Sequence, residues 1–440
     1  MAYLPNIVFA IILVSGIWFF AKNVKKIYRN INLGKAVDAG DHIPQRWNNM
    51  FRIALGQTKM VVRPIPGILH IIVYLGFIII NIEVLEIVLD GLFGTHRLFS
   101  FLGGFYNFLI GAFEILALLV IVAVALFWVR RNILKLRRFL NPEMTGWPKK
   151  DGNLILYIEF VLMVLFLTMN AADYQLQQMD VAHYTKAGAF PVSRFLSPLF
   201  QDMSVSAIIA IERSAWWLHI TGILFFLNYL YYSKHLHILL AFPNTYFGKV
   251  GPKGQFDNLD AVTKEVRLMM DPGADPFAAP DDNAPIEKFG ASDVMDLDRV
   301  QLLNAYTCTE CGRCTSECPA NLTGKKLSPR KIMMDTRDRL EEVGRNMDAN
   351  KGKFVPDGKQ LLGDYITAEE LWACTTCNAC TEACPVSIDP LSIIVDMRRY
   401  LVMEQSAAPS DLNNMMGNIE NNGAPWPFNQ MDRLNWSKES

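Results

Sequence analysis

The chain has 440 residues, of which 51% are hydrophobic and 19% charged, and its mean hydropathy is +0.17. Soluble globular chains sit nearer a quarter charged, so the composition argues against an ordinary cytosolic enzyme. The net charge of −1, from 42 basic and 43 acidic residues, gives no field that would gather nucleic acid, and no such partner is expected. All eight cysteines follow residue 300, which rules out a disulfide framework spread through the fold.

Charge-poor stretches of about 20 residues, the length that crosses a hydrocarbon core as helix, recur near 4–21, 67–89, 103–129, 154–172 and 215–242. Strands of a membrane barrel would be half as long and would alternate polar with apolar residues. The expected class is therefore all-α, a five-helix transmembrane bundle. The first stretch has no basic residue before it, and Lys22, Lys25, Lys26 and Arg29 follow it, so a retained span is expected rather than a signal peptide.

Basic residues orient the spans. Nine Lys or Arg lie between Lys22 and Pro66, and seven between Arg130 and Gly152. The alternate loops carry only Arg97, then Lys186, Arg194 and Arg213. The expectation is a cell inner membrane protein with its N-terminus outside and everything after the fifth span cytoplasmic.

Beyond residue 242 the composition shifts to Pro, Gly and Asp, as in Asp271-Pro272-Gly273-Ala274-Asp275-Pro276 and Ala279-Pro280-Asp281-Asp282, which reads as an irregular linker over 243–300. A small domain over 301–405 and an Asn-rich tail over 406–440, expected to pack on a neighbour, complete the division that begins with the membrane domain, 1–242.

The small domain carries the most specific signal. Cys308-x-x-Cys311-x-x-Cys314-x-x-x-Cys318-Pro319 is repeated as Cys374-x-x-Cys377-x-x-Cys380-x-x-x-Cys384-Pro385, and the two runs use every cysteine. Three thiolates at intervals of three wrap one face of an iron–sulfur cube, and the fourth, past a proline turn, reaches the other cluster. Two [4Fe–4S] clusters are expected, one on Cys308, Cys311, Cys314 and Cys384, the other on Cys374, Cys377, Cys380 and Cys318. Structural zinc favours separated Cys pairs or Cys with His, and disulfides are disfavoured on the cytoplasmic side. Cys318 and Cys374 are 56 positions apart, and the gap holds helix signals. Ser328-Pro329 begins a helix to about Val343, and Asp389-Pro390 begins another to about Met403. An α-helical ferredoxin domain is expected.

Four of seven histidines sit in or at the spans: His70, His219, His235 and His237. His219 and His237 are 18 residues apart, five turns of one helix and about 27 Å. His70 opens the second span and His237 closes the fifth on the same side, so the two imidazoles stand at matching depth, as a six-coordinate haem b requires. The bland alternative has His237 reaching to the interface and His70 capping a packing contact. His235 reads as interfacial. A second haem on His219 would need His96, His183 or a different ligand, because Ile80 and Asn81 stand where a facing histidine would be. Carboxylates in lipid spans are expensive unless paired or hydrated. Glu83, Glu86 and Glu114 are therefore candidates for quinol proton transfer, with hydrogen bonding between helices as the alternative.

These residues resemble a known family. Gly67-Ile68-Leu69-His70 and Ser233-Lys234-His235-Leu236-His237 resemble the cytochrome b subunit of respiratory nitrate reductase, and more closely its relatives in heterodisulfide reductase and sulfite-reduction-linked membrane complexes. Ala305 to Cys314 and Pro319 to Lys325 resemble the iron–sulfur subunit of heterodisulfide reductases and glycolate-oxidase-like proteins. Gly423 to Trp426 and Arg433-Leu434-Asn435-Trp436 also look familial. The resemblance implies an electron-transfer subunit of an oxidoreductase, linking the quinone pool to a cytoplasmic cysteine-rich iron–sulfur or flavoprotein partner through haem b and two [4Fe–4S] clusters. His70 and His237 match the inner haem ligands and His219 the outer one on span five, whose span-two partner is missing. A haem-free membrane anchor or redox sensor is the alternative, and a haem spectrum that responds to quinol separates the two.

Overall fold

A segment inside hydrocarbon must satisfy its own backbone hydrogen bonds, and a long apolar run does so as helix. The structure, a computed structural model, describes residues 3–252, 254–273 and 288–438, and among them no β-strand forms. Five helices are long and apolar enough to cross a membrane. They are α1 (Leu4–Ile31), α2 (Pro64–Phe93), α3 (Gly104–Asn132), α4 (Trp147–Gln178) and α5 (Val205–Tyr229). Proline in the first turn of α1, α2 and α4 starts each without losing a helical hydrogen bond. Ile110, Phe113, Phe166 and Trp216 form the bundle core. α1 lies outermost and buries only Phe9, Ile27 and Asn30.

The fifth span ends earlier than the hydropathy suggested. After Tyr229 the chain makes a 3-10 turn, extends at Ser233, turns again and enters α6 (His237–Phe247). Polar anchoring explains the break. Asp151, on the first turns of α4, accepts the Tyr229 hydroxyl at 2.5 Å and the Lys234 amide at 3.2 Å, and Ser233 Oγ accepts the His235 amide at 3.1 Å. His219 and His237 are thus on different helices, and the alignment over five turns does not hold.

The expected linker is also more ordered than its composition implied. It begins inside α6, includes a helix at Asp260–Met270, and from residue 288 is built into the following domain. Its run from Ala274 to Asp282 lies outside the described residues. The domain itself is helical as expected, with α7 (Arg299–Thr307), α8 (Pro329–Ala349) and α9 (Pro390–Met403). Ser328 Oγ accepts from the Lys331 amide and the Asp389 carboxylate from Leu391 and Ser392, the caps the sequence signalled. α10 (Ser410–Asn422) and the tail leave Met431, Leu434 and Trp436 exposed.

The two parts share one core. Ile27, Leu230 and Leu236 of the membrane part pack in the same cluster as Leu302, Ile332 and Ile393. Gly344 on α8 admits α1, because a Cβ there would lie 2.5 Å from Asn30 Nδ2. Asn30 in turn donates to Tyr306 Oη at 2.9 Å. The loop after α3 is held by Arg330, fully buried, which donates to Glu143 Oε1 at 2.7 Å and to the Arg138 carbonyl at 2.6 Å. Removing one partner of a buried pair leaves the other charge uncompensated. Arg330→Ala should therefore destabilise the protein by about 3–5 kcal/mol, measured as a lowered midpoint of thermal unfolding in detergent. An unchanged midpoint would show that the loop does not depend on this pair.

Candidate redox site

Each cysteine run folds into the same local shape. The second and fourth residues after the first cysteine are left-handed in both loops: Glu310 (φ 54) and Gly312 (φ 71) in the first, Thr376 (φ 56) and Asn378 (φ 60) in the second. Such alternation turns successive N–H groups inward and makes a concavity for negative charge. A short helix then begins at Arg313 and, in the same register, at Ala379. At Gly312 a side chain would have to pass Arg330 Nη1, 2.5 Å from an added Cβ.

Cys308, Cys311, Cys314, Cys380 and Cys384 line one cavity. Cys374 lies within electrostatic range of Cys318 and Cys377. Cys384, from the second run, thus lies with the first three cysteines of the first run, and Cys318 lies near Cys374. None of the eight forms a disulfide. Among the described residues no three His, Cys, Asp or Glu side chains converge tightly enough for a single metal ion. Thiols spread around a cavity suit a four-iron cube rather than a lone zinc. Burial pushes Cys308 up to about 12, Cys380 to about 12 and Cys384 to about 11, so these thiols hold their protons at neutral pH until iron displaces them. Cys377 alone among the eight is exposed.

His70 and His237 meet across α2 and α6, with ring centroids 6.5 Å apart and planes inclined by 45°. Two neutral imidazoles from facing helices are the donor set a bis-histidine haem would take. His237 Nδ1 lies 3.1 Å from the Lys234 carbonyl, which makes it the protonated nitrogen and leaves Nε2 as the acceptor a metal needs. His70 Nδ1 is buried without a partner. These residues fit a bis-histidine haem. The His235 ring lies 5.4 Å from that of His237, and its Nε2 is 3.6 Å from Glu159 Oε1 on α4. His219 is 1% exposed, with neither ring nitrogen partnered. His96 and His183 pair with each other, 5.4 Å between centroids, at the other end of the bundle.

The three glutamates fall in one buried network centred on Arg97. Its guanidinium donates to Asp173 at 2.6 Å, Asn170 at 2.9 Å and Tyr106 at 3.1 Å, and lies 3.8 Å from Glu83. Glu86 accepts from the Phe99 amide at 2.7 Å and Tyr106 at 2.8 Å. Glu114 accepts the amides of Val192 at 2.9 Å and Ser193 at 3.1 Å. Only Glu83 keeps a free oxygen, Oε2.

A junction the sequence did not announce connects the histidines to the thiols. Lys234, whose carbonyl faces His237, forms an ion pair with Glu310, between Cys308 and Cys311, and Arg337 donates to the other oxygen at 2.8 Å. Burial would raise Glu310, but Lys234 and Arg337 hold it below the usual carboxylate range. Lys234→Met should lower the temperature at which visible cluster absorbance bleaches, by the equivalent of about 3 kcal/mol. Bleaching at the wild-type temperature would show that the pair does not hold the loop.

Residues 307–388 match the family model of the 4Fe-4S dicluster domain, and every cysteine falls within them. Over 465 residues the chain is 28% identical to the probable iron-sulfur-binding oxidoreductase FadF of Bacillus subtilis, covering 99% of this chain and 61% of that protein. It is 28% identical over 449 residues to the EtfAB:quinone oxidoreductase of Syntrophomonas wolfei, covering 96% and 56%. A probable membrane-anchored ferredoxin of Chromohalobacter salexigens is 34% identical over 174 residues, 36% of this chain and 25% of that one. The chain thus spans about three-fifths of the length of the first two relatives. No solved structure matches.

Proposed function

We propose that this chain is the membrane-bound electron-transfer part of an oxidoreductase, linking the quinone pool to a cytoplasmic cysteine-rich iron–sulfur or flavoprotein unit. Haem b would be held by His70 and His237. The clusters would be held by Cys308, Cys311, Cys314 and Cys384, and by Cys374, Cys377, Cys380 and Cys318. When bound, these groups supply one-electron carriers at fixed positions. The cytochrome b-like reading of the bundle rests on the two histidines, and the quinone on the printed name of the Syntrophomonas relative. The basic loops support an inner-membrane orientation with the N-terminus outside.

One observation carries the reading. The backbone that orients His237 belongs to the same residue, Lys234, whose ammonium holds the loop between Cys308 and Cys311. The side chains that would hold the haem and the first cluster are therefore joined through a single residue. Around them, Ile27, Leu230 and Leu236 exclude water from the junction, which keeps local electrostatics strong.

The test is an optical spectrum of the purified protein, oxidised and dithionite-reduced, with pyridine haemochrome and non-haem iron assayed. Wild type should show haem b and about eight non-haem irons. His237→Ala should lose the haem and keep the iron, and Cys384→Ser should lose about half the iron. Clusters without haem in wild type would reduce the bundle to an anchor and defeat the proposal.

A further inference from the structure

The end of the bundle away from the cysteines holds a cavity of about 360 Å³, within the range of small-molecule sites. It lies between α1, α2, α4 and α5, and Gly94 and Thr95 at its rim are exposed. One wall is aromatic: Phe9 on α1 stands 5.4 Å from the Trp216 ring and 6.0 Å from Trp217. Opposite is a polar couple, His96 Nε2 lying 3.4 Å from Asp173 Oδ1. The His96 side chain is only 8% exposed, and its Nδ1 has no partner. Such an atom is costly to bury unless something meets it. Asp173 is already balanced by Arg97, so a charged ligand would upset a paired network, whereas a neutral ring with a hydroxyl to donate would complete it.

We infer that this cavity binds the quinol, its ring against Phe9, Trp216 and Trp217 and one hydroxyl donating to His96 Nδ1, the acceptor left when Nε2 carries the proton that faces Asp173. The inference rests on the electron-transfer reading and locates its membrane substrate. In quinol oxidation the hydroxyl facing His96 gives its proton to Nδ1 and the other gives its proton to water at the open rim, while the ring gives up two electrons, one at a time, which the haem that His70 and His237 would hold would carry onward. Quinone reduction is the same exchange reversed.

The test uses the full chain in lipid nanodiscs with menadione and menadiol as probes. Binding is read by equilibrium dialysis, and electron entry by the rate of haem reduction with menadiol. His96→Gln should slow haem reduction at least tenfold while the dithionite-reduced spectrum stays that of wild type, and Trp217→Leu should weaken menadione binding at least fivefold. Wild-type binding and rate in both variants would overturn the site. If wild type carries no haem, the electron-transfer reading fails, and dialysis of the two variants still decides the cavity. If His96→Gln does not yield folded protein, Trp217→Leu decides by the same measurements.

Discussion

Both oxygens of Glu310 are taken, one by Lys234 and the other by Arg337, at a position where the side chain is 2% exposed. A carboxylate buried that deeply stays ionised only while its cations are in place. One of those cations comes from the membrane part and the other from α8, so the Glu310 charge is satisfied only when the two parts are docked. The same few residues pass the constraint along. Asp151 fixes Tyr229 and the Lys234 amide, the Lys234 carbonyl faces the His237 ring, and its ammonium reaches the thiol loop. A shift of any one moves the others, which is how a histidine in the bundle and cysteines outside it keep a fixed distance.

The parts of this arrangement that depend on local chemistry were legible in the sequence. Five apolar runs gave five helices, and Ser328-Pro329 and Asp389-Pro390 started α8 and α9 where their caps implied. What was not legible depends on partners distant in sequence. The break after Tyr229 has neither Gly nor Pro to mark it, and arises because Asp151, 78 positions earlier, competes for the backbone. Residues 288–300 read as linker by composition, yet Gly290 is pressed against the Asp396 carbonyl, 2.2 Å from an added Cβ. Arg97 stands in sequence as a lone loop charge, and no local spacing links Glu159 to His235, 76 positions on, which it meets only in the fold.

Arg97 shows how the far end of the bundle tolerates so many acids. With Glu83, Glu86 and Asp173 around it, a single guanidinium with five donors serves several acceptors in fixed directions. Lysine, a point charge on a flexible stem, could not bridge Asp173, Asn170 and Tyr106 at once. The glutamates therefore divide by role: Glu86 and Glu114 hold backbone amides of neighbouring segments, while Glu83 retains an oxygen without a partner.

The two thiol loops share backbone geometry but not environment. Cys308 and Cys384 are buried between the membrane part and α8, whereas Cys377 of the second loop is exposed. Exposure, burial and nearby dipoles are the levers that separate the potentials of chemically identical clusters. A repeat that kept the same spacing and the same left-handed positions could therefore give two unlike carriers, because one copy is walled in by Glu310, Lys234 and Arg330 and the other exposes Cys377. On the proposed reading the order follows from that asymmetry. The walled site adjoins the His70–His237 pair, and Cys377 marks the edge that a second protein can approach.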